Sequence, residues 1–110
     1  MIDWDRIAEL RDEIGDEDFG DVVALFLDEV TEVVEALRAD PAPDKLECRL
    51  HFLKGSAMNL GFARFASMCQ AGEQDAAAGR MAEVDVAAIL SCYDDSKAAF
   101  LAGLEQRQSA

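Results

Sequence analysis

The chain contains one histidine, His51, followed three residues later by Lys54 and then by Gly55. An exposed imidazole is mostly neutral at cellular pH, and its ring nitrogen lone pair can attack phosphorus to form a covalent intermediate. A lysine three positions on along a helix shares the neighbouring part of that face, so its ammonium can meet phosphate oxygens in charge-assisted hydrogen bonds. Gly55 lies one turn beyond His51. Glycine inside a helix costs about 1 kcal/mol relative to Ala, so its presence speaks for room to admit a phosphoryl group or an approaching partner. Met58 adds an adaptable apolar contact of the kind that docking surfaces use. Taken singly, each feature has an ordinary explanation: surface histidines mostly do nothing, lysine at this spacing is common, and a helical glycine can serve close packing.

These residues need a helix to display them. On a helical wheel Leu46, Leu50, Leu53, Ala57 and Leu60 fall within roughly 40° of one direction. Glu47, His51, Lys54, Gly55 and Met58 gather on the far side, which predicts that His51 points into solvent. Asp44 and Glu47 form a capping box at the start of this third helix, which runs to Leu60 with Gly61 as its cap. Before it, Trp4, Ile7, Leu10 and Ile14 mark a short helix over 2–14 that Gly15 ends. From Asp16 an acidic first turn leads into a long stripe, Phe19, Val22, Val23, Phe26, Leu27, Val30, Val33, Val34 and Leu37, until Asp40-Pro41-Ala42-Pro43 breaks it. A fourth helix is predicted from Phe62 to about Ala78, with Phe65, Met68, Cys69 and Ala76 inward, weakened by Gly72 and ended by Gly79. The last, about Ala82 to Gln106, carries Val86, Ile89, Leu90, Tyr93, Phe100 and Leu104, with polar Ser96 and Lys97 interrupting the stripe. Short connections favour antiparallel neighbours. The predicted fold is all-α: an antiparallel up-down four-helix bundle with a short extra N-terminal helix, one domain over residues 1–110.

Composition narrows the function. With 10 Lys and Arg against 23 Asp and Glu, the net charge of −13 disfavours nucleic acid and anionic membrane surfaces and keeps the chain soluble and monomeric. No apolar run approaches the ~20 residues that span a bilayer, and the first residues lack the basic start and apolar stretch of a signal peptide, so a cytoplasmic location is expected. Beginning at Met1 favours a free-standing protein. Cys48, Cys69 and Cys92 are odd in number and widely spaced. They point to neither a disulfide framework nor a zinc site and are expected to serve helix packing.

The string His51-Phe52-Leu53-Lys54-Gly55-Ser56-Ala57-Met58-Asn59-Leu60-Gly61 closely resembles the H-x-L-K-G-S-x-x-x-L-G signature of histidine-phosphotransfer domains. The likeness extends over nearly the whole chain, including the acidic turn before Phe19, Phe26, Cys69, and Glu73 with Arg80. The resemblance implies that His51 is the phosphoacceptor, that Lys54 stabilises the phosphate and that Gly55 gives access. Glu47, Met58, Asn59 and Glu73 would then border the site or meet the partner. The implied partners are response-regulator receiver domains and a hybrid sensor kinase. No cofactor is expected on this chain, because Mg²⁺ sits on the receiver. With no glycine-rich phosphate loop it should lack ATP-dependent kinase activity of its own.

Two positions bear on the likeness. The family often carries Gln or Glu 22 residues after the His; here that is Glu73, whose carboxylate would repel phosphate unless it turns away or bonds to Lys54 or the imidazole. The large apolar residue usual just before it is replaced by Gly72, a departure that bears on the packing of the fourth helix. A different class of function competes: a small acidic helical adaptor that binds a partner through the Met58 face, with His51 never phosphorylated. A phosphohistidine phosphatase or metal-dependent hydrolase finds little support in one histidine and no carboxylate pair at metal-ligand spacing.

Overall fold

In the computed structural model the described residues are 2–39 and 43–109. The proline break at Asp40, Pro41 and Ala42 lies outside the described residues, as does the Asp44 side chain on which the capping box rests. The helices are α1 (Trp4–Ile14), α2 (Asp16–Ala39), α3 (Pro43–Leu60), α4 (Ala63–Ala77) and α5 (Val86–Ser109), with a 3₁₀ turn at Met81–Glu83 before the last. The chain forms an all-α, antiparallel up-down bundle of α2 to α5, and α1 packs on α2 and α3. Among the described residues no helix is long and apolar enough to cross a membrane.

The helix ends follow from their cap chemistry. Asp3 accepts from the Arg6 amide at 3.1 Å, which starts α1 at Trp4 rather than Ile2. Ile2 instead pairs with Phe62 in a single antiparallel bridge. Gly61, at φ +74, closes α3 with paired reversed bonds, Phe62 N–H to the Ala57 carbonyl at 2.8 Å and Gly61 N–H to Met58 at 3.3 Å. A Cβ on Gly61 would lie 2.7 Å from the Asp3 carbonyl oxygen, so the residue also admits the N-terminal segment. The last helix begins at Val86, four residues later than the periodicity predicts. Met81–Glu83 closes its own tight turn first, and Asp85 then caps α5 by accepting from the Ala88 amide at 3.0 Å.

The predicted stripes form the core. Phe62, Phe65, Tyr93 and Phe100 make an aromatic cluster at its centre, with Phe62 edge-on to Phe100 at 5.3 Å and Phe65 tilted against Tyr93 at 5.3 Å. Ser96 does not interrupt the α5 stripe: it is buried within it, its hydroxyl 3.9 Å from the Cys92 sulfur. Tyr93 reaches α2 through a 2.7 Å hydroxyl bond with Thr31. Gly72 is buried where α3, α4 and α5 converge. A Cβ there would meet Leu50 at 3.0 Å, Ile89 at 3.2 Å and Val84 at 3.3 Å, so those side chains occupy the space a larger residue would take.

Candidate functional site

The wheel reading of α3 holds residue by residue. Leu46, Leu50, Leu53, Ala57 and Leu60 are buried against the rest of the bundle. Glu47, His51, Gly55, Met58 and Asn59 are exposed, and Lys54 is partly so. The core-facing leucines thus hold the opposite face rigidly toward solvent, with the His51 side chain 70% exposed.

Glu73, on α4, reaches across to this face and holds two of its residues at once, one by a hydrogen bond and the other by an ion pair. Its Oε1 is 2.7 Å from His51 Nδ1, and its Oε2 is 2.9 Å from Lys54 Nζ. The neighbouring Lys54 and then the His51 bond hold the Glu73 carboxyl below the usual carboxylate range, overcoming the opposing effect of its burial. Glu73 is therefore ionised at neutral pH, and what the pairing adds to stability is lost only as the pH falls through that lowered value. An ionised carboxylate can only accept. The proton in the contact must then sit on Nδ1, which leaves the Nε2 lone pair directed away from Glu73. One of the two conditions set for a carboxylate at this position is therefore met in full: it binds both Lys54 and the imidazole.

A Cβ on Gly55 would meet nothing within 4 Å. No helix packs closely there, so close packing within the chain does not account for the glycine. A shallow open depression beside His51 is lined by Glu47, Cys48 and Glu73. Met58, 61% exposed, lies instead with Lys54 in a separate cleft shared with α1 and α4. Asn59 is two turns from His51 and lines neither. Phe52, exposed beside His51, is a surface residue that the sequence reading passed over; an aromatic on neither the core arc nor the histidine arc of the wheel was its signal. Among the described residues no group of three or more His, Cys, Asp or Glu could hold a metal ion.

The cysteines divide. Cys69 and Cys92 are buried, as packing residues should be, but Cys48 is exposed at the edge of the depression, contrary to expectation, because it lies outside the leucine arc. Burial, with Cys92 and Glu73 nearby, pushes the Cys69 thiol up to about 12. A thiol reagent at neutral pH is expected to modify one cysteine quickly in the folded chain and the other two only on unfolding, since the thiolate is the reactive form. Rapid labelling of all three, read by mass spectrometry, would contradict this packing.

A protein-family model described as Hpt domain matches residues 21–107. The match takes in the four bundle helices from early in α2 to near the end of α5, including the Glu73 bridge, and leaves α1 outside. No curated protein and no solved structure gives a significant match.

Proposed function

The chain belongs to the Hpt domain family, the histidine-phosphotransfer domains of two-component signalling, and from that premise we propose that His51 accepts a phosphoryl group from the aspartate of one receiver domain and passes it to another. The observation that carries the reading is the outward Nε2 of His51, held in one tautomer by an ionised Glu73.

Neutral imidazole approaches the receiver's aspartyl phosphate in line and Nε2 attacks phosphorus. Transfer of this kind depends on positioning and on electrostatic stabilisation of the equatorial oxygens. The receiver's own Mg²⁺ supplies most of that stabilisation. Lys54 supplies the rest: its ammonium has three donors and can keep one on Glu73 while offering others to phosphate oxygens. Gly55 leaves space for the receiver surface, and the exposed Phe52 and Met58 give it apolar contact. On this reading the chain acts as a monomer in the cytoplasm, without cofactor, ATP or metal of its own.

The test is incubation with a ³²P-labelled phospho-receiver. Acid-labile, alkali-stable label should appear on the small chain. If a panel of receivers leaves the folded chain unlabelled, the relay reading fails and the adaptor reading takes its place. Lys54→Ala should retain the label but slow its arrival by roughly 10- to 100-fold, less than the ~10²–10³ for a fully preorganised oxyanion donor, because Lys54 is partly solvated. Single-turnover rates equal to wild type would remove Lys54 from the mechanism.

A further inference from the structure

We infer that the cleft between α1, α3 and α4 is a selectivity subsite for the docked receiver, which fills it with a basic side chain that pairs with Asp5 and lays its alkyl stem on Met58. The inference rests on His51 being the phosphoacceptor.

The cleft holds about 440 Å³ and opens to solvent. Its floor is made of small buried residues, Ala57, Gly61 and Ala66, which leave the space free. Five charged residues border it, and four of them have partners within the chain. Asp3 accepts from the Arg6 amide at 3.1 Å, the Arg6 guanidinium meets Glu9 at 3.4 Å and Glu13 at 3.6 Å, and Lys54 pairs with Glu73 at 2.9 Å. Asp5 is exposed and has no hydrogen bond or ion pair among the described residues. In the free chain water satisfies that carboxylate. A partner that covers the cleft strips the water away, which is costly unless a cation takes its place. A receiver bearing Lys or Arg at this point pairs with Asp5, whereas one bearing an apolar or acidic side chain leaves a charge buried alone. Such a penalty on the wrong partner is what discriminates between similar ones.

The cleft is continuous with the phosphoryl site. Lys54 belongs to both, lining the cleft and holding the carboxylate beside the His51 ring. The open surface at Gly55 lies one turn from His51 in this direction, and Met58 lies two turns away, about 10 Å along the helix. A specific interface covers about 800 Å² on each partner, a patch roughly 16 Å in radius. A receiver centred near His51 therefore reaches Met58 and the mouth of the cleft. Met58 is 61% exposed, and its pliable thioether suits the alkyl stem of a long cation.

The anionic charge of the cleft comes wholly from α1. Asp3, Asp5 and Glu9 lie on or beside that helix, whereas α3 and α4 line the cleft with Lys54 and with uncharged residues such as Ser67 and Gln70. The Hpt domain match, over residues 21–107, leaves α1 outside. The shared bundle thus carries the phosphoryl site, and the added helix carries the discrimination. Asp5 also stands in the first turn of α1, where its charge favours the helix dipole. That role affects stability and not receiver affinity, so the two can be separated.

The experiment takes the phospho-receiver that labels wild type fastest and follows single-turnover transfer of ³²P as receiver concentration is varied. Wild type is compared with Asp5→Asn, Asp5→Lys and Asp12→Lys. Asp12 is exposed on the same helix but borders a different groove, with Trp4 and Leu104, so its variant matches Asp5→Lys in net charge. The half-saturating concentration is expected to rise about threefold for Asp5→Asn and about tenfold for Asp5→Lys, with the limiting rate unchanged, and to move less than about twofold for Asp12→Lys. Replacing the exposed Lys and Arg residues of the receiver one at a time with Glu should find one whose lost transfer Asp5→Lys restores. Failure to find one overturns the inference. So do equal shifts for Asp5→Lys and Asp12→Lys, which would reduce the effect to net charge, and a lowered Tm with an unmoved concentration dependence, which would leave Asp5 a helix-dipole residue. Self-association of the chain alone in sedimentation, abolished by Asp5→Lys, would give the cleft to a second copy and overturn it too. A chain that takes label from no receiver defeats the relay reading and this inference with it, whereas normal labelling with Asp5 variants indistinguishable from wild type defeats only this one.

Discussion

His51→Gln is expected to remove all acid-labile phosphate from the chain while leaving its fold unchanged. No other residue in the sequence is a histidine, so no second imidazole can stand in. The side chain is 70% exposed, and substitutions at such positions usually change stability by less than about 0.5 kcal/mol. For a domain of this size that corresponds to a Tm shift of about 2–4 °C at most. Glutamine also brings an amide that can still donate toward Glu73, so the carboxylate is not left facing Lys54 alone. Labelling and thermal melting on the same preparation decide the matter. Label that survives the substitution would mean a different acceptor, and a collapsed melt would mean that the position is structural.

Phe62→Ala is expected to have the opposite signature, with the chemistry spared for as long as the chain stays folded and stability severely reduced. Phe62 is fully buried, contacts both Tyr93 and Phe100, and sits in the turn that joins α3 to α4. Removing a buried phenyl ring leaves a cavity and costs about 3–5 kcal/mol. Small domains have only ~5–15 kcal/mol in total. Urea denaturation should show a midpoint well below that of wild type, and a loss of under about 1 kcal/mol would show that neighbouring side chains collapse into the space. The residue also pairs its backbone with Ile2 and closes the α3 cap, but alanine preserves those main-chain bonds, so the measured loss reports the ring.

What was legible in the sequence was what repeats at helical spacing. The leucines of α3 fixed which face is buried and, by elimination, where His51 points. The signature itself divides into two kinds of residue once placed: His51, Lys54 and Gly55 face outward, while Leu53 and Leu60 fill the core and Gly61 makes the turn. Periodicity was blind to contacts between helices. Periodicity did not place Glu73, which entered through the family resemblance, and it could not supply the bridge to both His51 and Lys54, which depends on how α4 lies against α3. It treated Gly72 as a weak point in α4, although Leu50, Val84 and Ile89 close around it. Ser96 was misread for a related reason, since a small hydroxyl can occupy a buried position when its neighbours leave no space for more. The start of α5 was missed because Ala82 and Glu83 satisfy a helical pattern whether or not the chain is α-helical there.

The one tryptophan of the chain stacks on Phe100 at 6.0 Å between ring centroids, and its ring fills the space above Gly103, where a Cβ would overlap it. Its helix is tethered by the 2.7 Å bond from the Asp3 amide to the Gly61 carbonyl, and Gly61 stands roughly 15 Å along α3 from His51. The molecule therefore carries its own optical gauge, placed at the seam between α1 and α5 and away from the reacting nitrogen. Tryptophan emission will follow the seating of α1 and stay quiet during chemistry at His51, so the integrity of the scaffold and the progress of transfer can be read in one cuvette on separate channels.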